Sequence, residues 1–191
     1  TLAALDSQTF ISGSDDTTIK LWKIDNDTPE RTYEGGRHFV SLLAVFPDKK
    51  HFISGSYKYV KLWNIDNDTP LRIYESHINS VLALAVFPDN KTFISGSYDK
   101  TIKLWKIDND TSLRTYTGHE NDVRALAVLN NKTFISGSDD RTIKLWKIDN
   151  DTSLRTYTGH EKYVLSLAVL DSQTFISGSF DYTIKLWKID K

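Results

Sequence analysis

The 191-residue chain contains no cysteine, which excludes a disulfide framework and any thiolate-based catalytic or metal site. It has no excess of either charge. Its 24 Lys and Arg stand against 25 Asp and Glu, for a formal net charge of −1. The basic footprint of a nucleic-acid binder is therefore missing, and no nucleic-acid partner is expected. No apolar run approaches the ~20 residues of a membrane span, so no membrane partner is expected either. No Gly-rich phosphate loop, zinc-ligand spacing or nucleophile elbow occurs, and neither a cofactor nor a metal is expected. No segment has the order of a secretory signal. With no cysteine, an intracellular, cytoplasmic location is the expectation. No stretch has helical period.

What is present is repetition. "FISGS" begins at Phe10, Phe52, Phe93, Phe134 and Phe175, in steps of 42, 41, 41 and 41 residues. "LW" ends at Trp22, Trp63, Trp105, Trp146 and Trp187, in steps of 41, 42, 41 and 41. A period of this length must be read before any local motif. Each unit holds four short segments separated by turn signals, as residues 123–158 illustrate. Apart from Arg124, "VRALAVL" is apolar, as a strand buried on both faces is. "NNK" turns into "TFISGS", "DDR" turns again, and "TIKLWKI" alternates like a half-buried strand. "DNDT" then leads to "SLRTY". Four strands joined by tight turns form an antiparallel meander.

One meander cannot bury both faces, whereas many stacked radially can. The period, the four strands, Gly118-His119, Gly159-His160, and the five "SGS" and five "KLW" runs resemble the WD-repeat (WD40-type) β-propeller family over the whole chain. The residue after each Trp departs from the family's namesake dipeptide: it is Lys23, Asn64, Lys106, Lys147 or Lys188, never Asp. The resemblance implies an all-β propeller of four-stranded antiparallel blades. Five blades are begun, about 1–34, 35–75, 76–117, 118–158 and 159–191, in a single propeller domain. With strands named a to d from the channel outwards, strand d is expected four times and the last blade lacks it. "LDSQT" at 5–9 repeats "LDSQT" at 170–174, so a d strand and a "GH" are expected upstream of Thr1. The chain then reads as part of a larger ring, or as one half of a homo-oligomer that completes the ring or pairs along the open edge at 183–189.

Every complete unit contains His, Ser and Asp, which alone would suggest a nucleophilic triad. A catalytic triad is needed once, however, and this set recurs with a Trp attached. In a meander the d–a and b–c loops share one end. A His entering strand a therefore reaches an Asp in the b–c turn and a Ser on strand b, and that Ser receives the indole N–H. Each buried polar group gains a partner. The structural tetrads that the resemblance implies are His77, Ser95, Asp99 and Trp105 in blade three; His119, Ser136, Asp140 and Trp146 in blade four; and His160, Ser177, Asp181 and Trp187 in blade five. Blade one keeps Ser12, Asp16 and Trp22. In blade two the b–c turn is one residue short and lacks the Asp, while Gly36 stands where the His is due. Both ends of its bridge are missing together, and this blade is expected to be the least rigid at that end. "DND" at 25–27, 66–68, 108–110 and 149–151 reads as a polar turn, not a Ca²⁺ loop, because no Gly or distant Glu completes it.

The copies differ mainly at one face. The a–b and c–d turns barely vary, while the d–a and b–c loops do. Varied positions carry Tyr57, Tyr59, Tyr98, Lys100, Arg124, Arg141, Lys162, Tyr163, Phe180 and Tyr182. A uniform scaffold with varied loops at one end is how binding faces are built, and Tyr and Arg are common interface anchors. The expected function is a non-catalytic scaffold with a protein or peptide partner. A recognition or regulatory propeller of a larger signalling protein is the alternative. A propeller hydrolase ranks last, because no unrepeated carboxylate cluster is found.

Overall fold

The computed structural model describes residues 1–75 and 77–189. Nineteen strands form five antiparallel sheets, and the described residues contain no helix. Blade one is β1 (Leu2–Ala4), β2 (Thr9–Gly13), β3 (Thr18–Lys23) and β4 (Arg31–Glu34). Blade two is β5 (Leu42–Val45), β6 (His51–Ser56), β7 (Tyr59–Asn64) and β8 (Arg72–Glu75). Blade three is β9 (Val81–Val86), β10 (Thr92–Ser97), β11 (Ile102–Lys106) and β12 (Arg114–Tyr116). Blade four is β13 (Val123–Asn130), β14 (Thr133–Ser138), β15 (Ile143–Lys147) and β16 (Arg155–Tyr157). Blade five has only β17 (Val164–Val169), β18 (Thr174–Ser179) and β19 (Ile184–Lys188). Strand order within each sheet follows the chain, so every blade is a meander. The architecture is an all-β propeller whose fifth blade lacks the outer strand.

Short polar side chains shape the turns. Asp89 Oδ1 accepts the backbone N–H groups of Lys91 and Thr92, each at 2.8 Å, and closes the a–b turn of blade three. Asn109 Oδ1 accepts the Thr111 N–H at 3.2 Å in the c–d turn. These are the self-bonded turns that Asp and Asn favour.

The strands alternate in side-chain direction, and each blade therefore has two apolar faces. One face presents Ile and Leu with the strand-d Tyr; the other presents Phe and Trp. They meet between blades. Ile94, Ile102, Leu104 and Tyr116 of blade three pack on Phe134 and Trp146 of blade four. The same pairing joins blades one and two, two and three, and four and five. Phe134 and Trp146 stack with ring centroids 6.2 Å apart, and Tyr116 meets both edge-on.

The middle Gly of "SGS" makes this approach possible. A Cβ on Gly137 would lie 2.6 Å from Val164 Cγ1 of the next blade, and one on Gly96 would lie 2.7 Å from Val123 Cγ1. Only a residue without a side chain admits the neighbouring valine.

Polar clasps cross the same interfaces. The hydroxyl of Tyr33 donates to Ile65 O at 2.7 Å, Tyr74 to Ile107 O at 3.1 Å and Tyr116 to Ile148 O at 2.8 Å. Arg31, Arg72 and Arg114 on the outer strands pair with Asp68, Asp110 and Asp151 in the c–d turns of the following blades. The third residue of the "DND" runs in blades two, three and four thus receives an arginine from the preceding blade, beyond its part in the turn.

The two ends of the array do not pack together. Ile184 and Leu186 of blade five are 77% and 62% exposed, whereas their equivalents Ile143 and Leu145 in blade four are buried. At the other end Phe10 and Trp22 are only part-buried, while Trp63, Trp105 and Trp146 are fully covered. Four blade–blade cores form among five blades, and two complementary faces remain open.

Candidate functional site

The rim is built on a relay of hydrogen bonds repeated in three blades. In blade four Trp146 Nε1–H donates to Ser136 Oγ at 2.8 Å. Ser136 Oγ lies 2.6 Å from His119 Nε2, and His119 Nδ1 lies 2.6 Å from Asp140 Oδ2. With Nδ1 against a carboxylate, the proton belongs on Nδ1, and Nε2 accepts the serine hydroxyl. Blade three repeats the relay through Trp105, Ser95, His77 and Asp99, with all three distances between 2.7 and 2.8 Å. Blade five repeats it through Trp187, Ser177, His160 and Asp181, with each distance 2.7 Å. The serine used is the first of each "SGS".

Each Asp does more than orient the ring. Asp140 Oδ1 accepts Thr142 N–H at 2.9 Å and Thr142 Oγ1–H at 2.6 Å, while Oδ2 accepts the Glu120 N–H at 3.0 Å. One carboxylate therefore ties the b–c turn to the d–a loop. Burial pushes the carboxyls of Asp99 and Asp140 up, but hydrogen bonds from His77 and His119 and from the turn threonines outweigh it. Both are held well below the usual carboxylate range. The order Ser–His–Asp matches that of a nucleophilic triad, yet Ser95 and Ser136 are completely buried and already receive an indole N–H.

The second serine of each "SGS" serves the loops. Ser138 Oγ donates to Asn121 O at 3.1 Å and accepts the Asp140 N–H at 3.1 Å. Ser97 and Ser179 make the equivalent pairs.

Blades one and two are different. Ser12 Oγ accepts the Trp22 indole N–H at 2.8 Å, and Asp16 holds its own turn through Thr18 and pairs with Lys20 at 3.7 Å. In blade two Ser54 Oγ accepts the Trp63 N–H at 2.9 Å. Gly36 adopts φ 126°, and the ammonium of Lys61 lies 2.8 Å from where its Cβ would be. Lys61 Nζ donates to Gly35 O at 2.7 Å. In blades three and four the equivalent Lys103 and Lys144 donate outward to Thr115 and Thr156 on strand d. Strand d of blade two has Ile73 opposite Lys61, so that acceptor is gone and the amine turns inward. The lysine's position goes with Ile73 on strand d and Gly36 in the d–a loop, and the length of the b–c turn alone does not reveal it.

The varied side chains gather at the rim above these relays. Tyr163 and Phe180 of blade five stack at 6.2 Å, and Phe180 meets Tyr182 at 6.0 Å. Lys162 Nζ stands 5.5 Å from the Phe180 ring and 6.0 Å from that of Tyr182. Tyr182 is 87% exposed. On blades three and four, Arg124 lies over Tyr98 at 5.5 Å and bonds Asp139 through Nε at 2.5 Å. That bond to Asp139, stronger than the cost of burial, raises the guanidinium pKa above its usual value. Tyr57 meets His38 at 4.9 Å between ring centroids.

Lys100, Arg141 and Tyr182 occupy the same b–c turn position with φ of 68°, 70° and 65°. In the shortened turn Tyr57 takes that role at φ 50°. Positive φ favours Gly or Asn, so large side chains there are held against local preference. Tyr59 lies elsewhere: it opens strand c at Tyr59–Asn64, opposite Ser56, and is half-buried. Counted back from Trp63 it is the equivalent of Thr18, which opens strand c of blade one at Thr18–Lys23. Among the described residues no group of three or more His, Asp or Glu is placed to hold a metal ion.

Meandering blades and buried His–Ser–Asp–Trp relays define a blade-repeat β-propeller protein. A family model described as WD domain, G-beta repeat (WD40) matches residues 3–23, 27–64, 68–106, 110–147 and 151–188. The chain therefore belongs to the WD40 repeat family, whose domains are generally non-catalytic scaffolds for protein interactions. Each full match starts with the outer strand of one blade and continues through three strands of the next, so every sequence repeat bridges two blades. No curated protein matches the sequence.

Proposed function

We propose that this chain is a non-catalytic scaffold that binds a protein or peptide partner on the face formed by its d–a and b–c loops. The observation that carries the reading is the exposed cluster Tyr163–Phe180–Tyr182 beside Lys162. Aromatic and cationic side chains gathered in water are the usual anchors of an interface. Tyr57, Tyr98, Lys100, Arg124 and Arg141 extend the cluster across the neighbouring blades, and Tyr59 adds to it from the start of strand c. The buried relays underneath fix the loops that carry these side chains. Selection of peptides from a displayed library, followed by amide shift mapping, tests the reading. Shifts in the b–c and d–a loops support it; shifts confined to the a–b and c–d turns overturn it.

A second reading concerns the open ends. Ile176, Ile184 and Leu186 at one end match the Ile–Leu faces buried at the internal interfaces, and Phe10 and Trp22 at the other match the Phe–Trp faces. The two ends are suited to each other on separate copies, which makes a head-to-tail homo-oligomer the natural association. Sedimentation mass that rises with concentration, and falls with Leu186→Lys, supports this; a monomer at every concentration rejects it. The near-identity of the tandem copies supports a third role, as the recognition propeller of a larger signalling protein.

A further inference from the structure

Blade two carries a cavity of about 370 Å³ whose wall includes Gly36, Arg37, His38, Tyr59, Lys61 and Ile73. It opens at the loops where blades three, four and five hold their His–Asp pair. We propose that this cavity is a carboxylate-binding seat, which takes an Asp or Glu side chain of a protein partner. The proposal deepens the interaction reading by naming the chemistry of one contact.

Three observations converge on it. First, the seat has lost its own anion. Asp99 and Asp140 each face a His in the neighbouring blades, whereas blade two has neither group. Second, a cation has moved in. Lys61 donates once, to Gly35 O, and an ammonium has three donors. Burial lowers the Lys61 pKa, and an incoming carboxylate offsets that penalty. Third, the wall contains Lys61, Arg37 and His38 but no Asp or Glu. Glu75, the register partner of Tyr59, is taken by Lys58 at 2.9 Å. A carboxylate entering the seat thus replaces the missing Asp, with Lys61 in the place of the His.

The test uses the whole chain and a short, end-blocked oligo-glutamate peptide, followed by fluorescence polarisation. Lys61→Met is expected to weaken binding by about tenfold or more, as loss of a charged hydrogen bond does. Lys103→Met, the same change in a blade whose His is present, is expected to leave binding unchanged. Equal losses in both variants would reduce the effect to general surface charge and overturn the seat. Amide shifts on the unsubstituted chain give a readout that needs no variant: Gly36, Ser54 and Lys61 should move together. Inorganic phosphate moving them while oligo-glutamate does not would overturn the carboxylate assignment. Binding lost with Tyr182→Ala but kept with Lys61→Met would overturn the seat and leave the wider face standing.

Discussion

His119 Nδ1 lies 2.6 Å from Asp140 Oδ2, and this contact joins the loop entering blade four to the turn between its second and third strands. Both side chains are buried. The bond therefore sets the height of two varied loops at once, and the same pair recurs as His77–Asp99 and His160–Asp181.

Removing the ring should be costly. His119→Ala leaves the buried Ser136 hydroxyl hydrogen without its acceptor and takes the imidazole donor from Asp140 Oδ2, which keeps only the Glu120 N–H. The expected loss is about 1–3 kcal/mol, the range for an unsatisfied buried group. Urea unfolding measures it, with His38→Ala, an exposed His outside any relay, as the near-neutral comparison.

Acid should weaken the fold in a defined window. Asp99 and Asp140 ionise at lower pH in the folded chain than in the unfolded one. Their contribution is complete above the unfolded value of ~3.9, declines as pH falls below it, and is gone below their folded values. The urea midpoint should drop as pH falls below ~4. Asp140→Asn should flatten that drop and lower the plateau at neutral pH.

The Gly at each blade interface should not tolerate a methyl group. Gly137→Ala sets a Cβ 2.6 Å from Val164 Cγ1. Overpacking of this kind costs about 1–3 kcal/mol. Val164→Ala in the same chain should recover part of the loss, which a double-mutant cycle reads directly.

Blade two should open more readily than blade four at the rim. Its turn is held by Lys61 and Ser56, with neither His nor Asp. Amide exchange at 56–61 is expected to be faster than at 138–144; equal protection would contradict this.

The repeated core of the fold was legible because the repeats state it five times. "FISGS" and "KLW" mark strands b and c, and the observed strands fall on them: β14 is Thr133–Ser138 and β15 is Ile143–Lys147. The relay was legible for the same reason, since Ser136 pairs in register with Lys144, two residues before Trp146. What lay beyond reach depended on contacts between copies. Arg114 meets Asp151 from 37 residues away, and nothing local to either residue signals the pair. The inward turn of Lys61 requires Ile73 and Gly36 together, on a strand and a loop that only the folded sheet brings near it. Tyr59 appears in the sequence as a loop aromatic, but it opens strand c as Thr18 does in blade one. The open edge at 183–189 was expected from the count of strands, and Ile184 and Leu186 are exposed there where Ile143 and Leu145 are buried.

The proposed function sets a partner on the varied loops, which in three blades stand on a His–Asp relay. The most direct measurement is the affinity of a selected peptide ligand for the chain carrying Phe180→Ala and Tyr182→Ala together. A matched pair, Asp108→Ala and Asp149→Ala, changes the opposite rim. The account predicts at least a hundredfold loss for the first pair, about 2.7 kcal/mol or more, and no change for the second. Unchanged affinity in the first pair, or equal losses in both, would contradict it.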